Sequence, residues 1–422
     1  MIVETILTKY LKKKYNSTLD FTTFYEVSPP QAVPGTPYLL YVHIPFCEEL
    51  CPYCSFNRFK FDGTSARSYF HALSREILMY KDMGFDFDAV YVGGGTPTVL
   101  PEEMANLLLD IRTWFGVLTI SLETNPNHLT ERVLSMMKQA GVNRLSVGVQ
   151  SFDDSLLKRM ERYHKYGSGR EIKEKLSHYM GTFDTLNVDM IFNFPTQTME
   201  MLETDLEIIK EIGADQATFY PLMVSDMTRR VLAERFGAIS YRQEKAFYQT
   251  IVSRLLPDYS FGTAWCFSRQ KSMIDEYIVD HDEYLGAGSG SFGYVRGTCF
   301  ANTFSLDEYV SSVQRGKVPL TAKRIFSLRE QVHYYFMMKL FGSHIDLRQA
   351  ELKFDGHFEE TITKEIFLLR LLGVLDVQAE TMRLTNKGRY FWVIMMREFF
   401  TGVNNFRDLC RATMKGPDDC LD

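Results

Sequence analysis

Six short runs rich in Val, Ile, Leu, Phe and Tyr recur along the first half of the chain, separated by stretches of helical periodicity, and this alternation leaves few architectures open. The runs are YLLYVHI (38–44), AVYVG (89–93), LTISLET (118–124), RLSVGV (144–149), LNVDMIF (186–192) and QATFYPL (216–222). Between them lie SARSYFHALSREILMYKDMG, PEEMANLLLDIRTWFG, TERVLSMMKQAG, SLLKRMERYHK with GREIKEKLSHYMG, and TMEMLETDLEIIKEIG. Several of these helices close on glycine, at Gly84, Gly116, Gly141, Gly181 and Gly213, as helix C-termini favour. Six parallel strands joined by crossover helices build either a partial TIM-like barrel or an open doubly wound α/β sheet. In both, the reactive groups collect at the carboxyl ends of the strands.

At 422 residues, 45% hydrophobic and 24% charged, the chain is long enough for a large core, and one big domain with a smaller one is expected. The N-terminal MIVETILTKYLKKKYNS carries no apolar run ahead of a small-residue cleavage site, and no segment has the roughly 18 uninterrupted apolar residues of a membrane span. A cytoplasmic protein with no membrane partner is expected. YFWVIMM (390–396), the longest late apolar run, is closed by Arg397 and reads as a buried helix. A formal net charge of −6 argues against nucleic acid as the main partner.

Three of the seven cysteines fall within eight residues, as Cys47, Cys51 and Cys54 in YVHIPFCEELCPYC, directly after the first strand. An odd, uneven set does not make a secreted disulfide framework. Structural zinc wants four ligands, usually as two separated pairs, and no matching pair stands elsewhere in the sequence. Three thiolates on a four-iron cluster leave one iron open to a substrate or cofactor. That arrangement is expected of a radical S-adenosylmethionine (SAM) enzyme, with a [4Fe–4S] cluster and SAM as cofactors.

Further polar groups fall at later strand ends. VGGGTPT (92–98) follows the second strand, where adjacent glycines allow positive φ and leave N–H groups uncovered. The stretch has neither the G-K-[ST] of a P-loop nor a G-x-G-x-x-G fingerprint. Glu123 ends strand three, Gln150 ends strand four and Asp189 lies in strand five, so three hydrogen-bonding groups are expected around one barrel mouth.

YVHIPFCEELCPYC, YVGGGTPT, GVNRLSVGVQSFDDSLLKRMERYH and NVDMIFNFPTQT, in this order, resemble the radical SAM family related to oxygen-independent coproporphyrinogen III oxidase. The later YLGAGSGSFGYVRG and the stretch from about 320 are similar to that family's glycine-rich and C-terminal segments. The resemblance implies a partial (β/α)6 TIM-like barrel over 37–255, preceded by an extension over 1–36. A glycine-rich connecting region over 256–318 follows, then a mainly helical, winged-helix-like domain over 319–422 with VQAETMRLTNKG as its wing. It implies that Cys47, Cys51 and Cys54 hold the cluster and that Tyr41, Gly94, Gly95, Thr96 and Glu123 lie against SAM. Gln150, Arg162 and Asp189 match positions that contact a second SAM in the family's founding enzyme; Arg162 would pair with a carboxylate.

Departures from the family pattern shape the expected activity. Coproporphyrinogen oxidases generally carry another cysteine two residues after the third, where this chain has Ser55 and Phe56. The H-N-x-x-Y-W signature of the related haem chaperones is absent from 267–286. By elimination, the resemblance leaves class C radical methyl transfer, in the branch that includes anaerobic haem-degrading enzymes, as the first expectation. Oxidative decarboxylation of a porphyrin precursor and non-catalytic haem carriage, with His164 and Cys266 as candidate ligands, stand as alternatives. A tetrapyrrole or other aromatic substrate and a flavodoxin- or ferredoxin-type electron donor are the implied partners.

Overall fold

The computed structural model describes residues 27–270 and 277–413, so most of the expected extension over 1–36, the stretch 271–276 and Cys420 lie outside the described residues. β1 (Tyr38–Ile44) leads into the short β2 (Phe46–Cys47), which pairs with β3 (Phe59–Lys60). β4 (Phe87–Gly94), β5 (Thr119–Thr124), β6 (Arg144–Gln150), β7 (Thr185–Phe192) and β8 (Gln216–Pro221) follow, each separated from the next by helix. β1, β4, β5, β6, β7 and β8 lie side by side and parallel in chain order. These are the six predicted strands, forming an open, partial α/β barrel. All seven residues of β1 are buried, as expected of a parallel strand covered on both faces.

Strands between Ser260 and Ile325 extend both edges of this sheet, so the sheet runs past the expected boundary at 318. β9 (Ser260–Phe261) and β10 (Cys266–Ser268) add antiparallel beside β8. β11 (Tyr284–Ala287) lies parallel to β1 as a seventh parallel strand, and β12 (Phe292–Val295), β13 (Thr298–Asn302) and β14 (Leu320–Ile325) continue antiparallel from it. Close approach explains the glycines here. A Cβ on Gly288 would lie 2.4 Å from the Tyr69 hydroxyl and 2.5 Å from the His43 carbonyl oxygen. The buried carboxylate of Glu76, on the helix Gly63–Asp82, ties the segment down. It accepts from the Gly288 N–H at 2.8 Å, Asn302 Nδ2 at 2.7 Å, the Tyr80 hydroxyl at 3.0 Å and the Tyr309 hydroxyl. Burial raises its pKa against these four donors.

The C-terminal part is a three-stranded sheet flanked by helices. β15 (His344–Asp346), β16 (Leu375–Gln378) and β17 (Thr381–Leu384) order as β15-β17-β16, and the β16–β17 hairpin overlaps the VQAETMRLTNKG stretch. The chain then enters the helix Asn386–Thr413, whose YFWVIMM stretch is buried. The first half of this helix packs on the helix Leu328–Phe341 through Trp392, whose Nε1 donates to the Met337 carbonyl at 2.9 Å. Its second half returns to the barrel, where Asn404 Nδ2 reaches the Met223 carbonyl and the Asp226 N–H reaches Asn405 Oδ1. Midway, buried Arg397 sits between Glu244 and Glu398 and bridges the helix to Tyr241–Leu255. No helix among the described residues is long and apolar enough to cross a membrane.

Candidate active site

The cysteine loop runs between β1 and β3, at the carboxyl end of the first barrel strand. Its shape is set from within: the Cys54 N–H donates to the Cys51 carbonyl at 3.2 Å. Arg58 Nη2 reaches that same carbonyl at 2.7 Å, and Lys165 Nζ reaches the Leu50 carbonyl at 3.2 Å. Cys51 is buried, Cys47 and Cys54 are half-buried, and all three are free thiols lining one cavity of about 990 Å³. Burial, with Cys54 close by, pushes the Cys47 thiol up to about 12. A thiolate at this position would need a strong cationic partner such as a metal centre beside it. Among the described residues no three or more His, Cys, Asp or Glu side chains converge as ligands of one ion do. The fit to a cluster rests on the soft donor set and on the backbone cradle beside it.

That cradle is built by the glycines after β4. A Cβ on Gly95 would lie 2.5 Å from the Phe46 carbonyl oxygen and 3.0 Å from Cys47 Sγ, so only glycine lets this strand end pass under the loop. The expectation of uncovered N–H groups is corrected here. The Gly94 N–H donates to Glu123 Oε2 at 3.2 Å, that of Gly95 to the Ile44 carbonyl at 2.7 Å, and that of Thr96 to the Phe46 carbonyl at 2.7 Å. Backbone pairing takes the donors of Gly95 and Thr96, and the Glu123 side chain takes that of Gly94.

The predicted strand-end groups converge. Glu123 receives the Tyr91 hydroxyl at 3.0 Å as well as the Gly94 N–H. Asp189 is oriented by the Ser146 hydroxyl and Asn187 Nδ2, each at 2.7 Å. Gln150 has φ 76° at the end of β6, where the register with β7 shifts between Gly148 and Gln150. Arg162 comes from an interrupted helix. The predicted SLLKRMERYHK helix breaks at Glu161, φ 56°, into Asp154–Arg159 and Tyr163–Tyr166, and the break turns Arg162 inward. Its guanidinium is buried, 3.6 Å from Cys51 Sγ and 3.2 Å from Asn125 Oδ1, bonds the Gly148 carbonyl and lies 4.3 Å from the Tyr166 ring centroid. Among the described residues Arg162 Nε has no hydrogen-bond partner. Tyr41, Gly94, Gly95, Glu123, Gln150, Arg162 and Asp189 line the same cavity as the cysteines. Thr96 stands behind it, buried, accepting from Asn125 Nδ2 at 2.8 Å.

The opposite wall was not legible in the sequence. Tyr41 stacks on Tyr277, centroids 5.2 Å apart and planes 18° off parallel. Tyr277 in turn meets Tyr91 and Tyr284, each at 5.2 Å, and Tyr294 and Tyr334 continue the wall with centroids 4.6 Å apart. Phe399, Phe400 and Arg407 enter from the last helix. These side chains come from five separate stretches, so no local spacing announces them. Of the candidate haem ligands, His164 is exposed and Cys266 is buried in β10; neither lines the cavity.

Residues 41–209 match the family model of the radical SAM superfamily. That segment is a radical SAM domain. Among curated relatives, the chain is 28% identical over 306 residues to the heme chaperone HemW of Bacillus subtilis, covering 69% of this chain and 80% of the relative. It is 26% identical over 411 residues to the oxygen-independent coproporphyrinogen III oxidase of Salmonella typhimurium, covering 89% of each. It is 26% identical over 372 residues to the anaerobilin synthase of Escherichia coli O157:H7, covering 84% of this chain and 81% of the relative. The solved coproporphyrinogen III oxidase (HemN) of Escherichia coli shares its fold, with a TM-score of 0.73 and 23% identity over 87% of this chain and 91% of that one. A radical SAM domain implies a [4Fe–4S] cluster and SAM. Class C methyl transfer, the first expectation, finds no support in these comparisons.

Proposed function

We propose that this radical SAM protein is an enzyme acting on a tetrapyrrole, with oxidative decarboxylation of a propionate as its reaction. The observation that carries the reading is one cavity of about 990 Å³ lined on one side by three free thiols and polar strand ends, and on the other by tyrosines and phenylalanines. A flat, apolar, acidic molecule suits such a wall, and the volume lies at the upper end of the ~300–1,000 Å³ range of small-molecule sites. When bound at Cys47, Cys51 and Cys54, the [4Fe–4S] cluster supplies the electron that splits SAM to a 5′-deoxyadenosyl radical, drawn from a flavodoxin- or ferredoxin-type donor.

The chain's own groups bind and orient. Glu123, held by Tyr91 and the Gly94 N–H, accepts hydrogen bonds from the first SAM, and Tyr41 lies against it. Arg162 and Asp189 are held in place by their own neighbours, and with Gln150 they form a polar end for a second SAM. The aromatic wall excludes water from the reacting carbon. A relative named as a coproporphyrinogen III oxidase, aligned over 89% of both chains, supports decarboxylation. The relatives named heme chaperone favour a second reading, stoichiometric haem carriage.

Anaerobic reconstitution followed by mass spectrometry of SAM products, with coproporphyrinogen or haem added, tests the reading. The expected result is substrate-dependent 5′-deoxyadenosine together with released carbon dioxide. Haem uptake without SAM turnover supports carriage instead. A fully loaded protein that yields no 5′-deoxyadenosine overturns the enzymatic reading.

A further inference from the structure

Arg407 lines the cavity and, among the described residues, has no carboxylate partner. It lies on the last helix, and its guanidinium carbon is 4.7 Å from the Phe56 ring centroid and 5.6 Å from that of Phe292. One of its nitrogens, Nη1, donates to Asn404 Oδ1 at 2.8 Å; Nε is buried and bonds nothing. Among the described residues no carboxylate pairs with it. Its neighbour Arg411 is different: Arg411 bonds Asp408 and donates to the Phe56 carbonyl at 2.8 Å. A guanidinium offers five donors in a planar fork and is costly to desolvate without an anion. Burial and the charge of Arg411 both weigh against Arg407 staying charged, and Tyr41, Cys54 and Tyr277 only partly offset them.

Phe56 follows Cys54 by two residues, so Arg407 stands beside the cysteine loop with the tyrosine wall lining the same cavity. We infer that Arg407 is the carboxylate-binding residue of the substrate site, receiving an acid side arm of an aromatic substrate whose plane lies on the tyrosine wall. The inference rests on the proposed tetrapyrrole reading for the identity of the substrate, but its chemistry, an arene carrying a carboxylate, is wider. The same cavity also takes SAM, whose carboxylate is the other anion available to a guanidinium there. Phe56 holds the Arg407 plane by cation–π contact, which gives the departure from cysteine at that position a function.

The test uses the full chain, reconstituted anaerobically with cluster and SAM and without reductant, so that binding is read without turnover. Two fluorescent probe pairs are titrated into wild type and Arg407→Gln: coproporphyrin and its methyl ester, and pyrenebutyrate and its methyl ester. Wild type is expected to prefer each acid over its ester, and Arg407→Gln to lose roughly tenfold or more in affinity for the acids, the size of a charge-assisted hydrogen bond, with the esters little changed. Cluster absorbance and SAM affinity are expected to match wild type, which separates this role from misfolding and from SAM binding. Acid preference that survives in Arg407→Gln, its absence in wild type, or a loss confined to SAM affinity overturns the inference. Preference for pyrenebutyrate that depends on Arg407, with no porphyrin bound, upholds it and overturns the tetrapyrrole reading instead.

Discussion

Two buried charged residues show how differently the same fold treats ionisable groups. Arg162 is surrounded by Cys51, Asn125, the Gly148 carbonyl and the Tyr166 ring, and among the described residues its Nε has no hydrogen-bond partner. Arg162→Gln is expected to lower 5′-deoxyadenosine formation about 100-fold or more with the cluster retained, the scale of losing a paired charge on a bound carboxylate; product yield and iron content measure this. Asp205, on the helix Met199–Ile212, is buried beneath the turn after β6. There it accepts from the Phe152 N–H at 2.7 Å and the Ser151 hydroxyl at 3.0 Å. Burial outweighs these donors and raises its carboxyl from 3.8 to about 7. A folded value above the unfolded one means the folded protein holds the proton more tightly. The stabilisation is therefore full below about pH 4 and lost as pH rises through about 7. Asp205→Asn is expected to flatten the stability profile across that window, measured by denaturant unfolding at a series of pH values.

At the level of single elements, the turn after β4 and the last helix carry the most specific demands. Gly95→Ala has no room for its methyl group against the Phe46 carbonyl and Cys47 Sγ. The variant is expected to fold with its barrel strands intact and to lose most of its cluster, read as iron and sulfide per chain beside a far-ultraviolet spectrum. The helix Asn386–Thr413 depends on Arg397, which lies buried between Glu244 and Glu398. Replacing it with Met leaves two buried carboxylates facing each other without a cation, and a loss of about 3–5 kcal/mol in unfolding free energy is expected.

Across the whole molecule, the site exists because the barrel and the returning helix share one cavity. Any one of Cys47→Ser, Cys51→Ser or Cys54→Ser is expected to prevent assembly of the roughly four irons of a cubane and to abolish SAM cleavage, while leaving the fold spectroscopically unchanged. Strand and helix positions were legible because each barrel strand is buried on both faces and each helix carries an apolar face, so local patterning mirrors the environment. The predicted YLLYVHI run is β1 residue for residue, and the predicted PEEMANLLLDIRTWFG helix is Pro101–Phe115 followed by Gly116 in the left-handed region. The cysteine spacing and the polar strand ends were legible for the same reason, since a loop and its strand lie close in sequence.

What stayed hidden was whatever long-range contact creates. The β11 strand beside β1 pairs residues more than 240 positions apart, and Tyr41, Tyr277 and Tyr334 become one wall only when that pairing and the last helix are in place. The bonded glycine N–H groups and the inward turn of Arg162 likewise follow from neighbours that no local window contains. Periodicity and spacing therefore reach the barrel and its three thiols. The aromatic wall, with Arg407 in the same cavity, is a product of chain closure, because side chains on distant strands and helices share a cavity only after their backbones have packed.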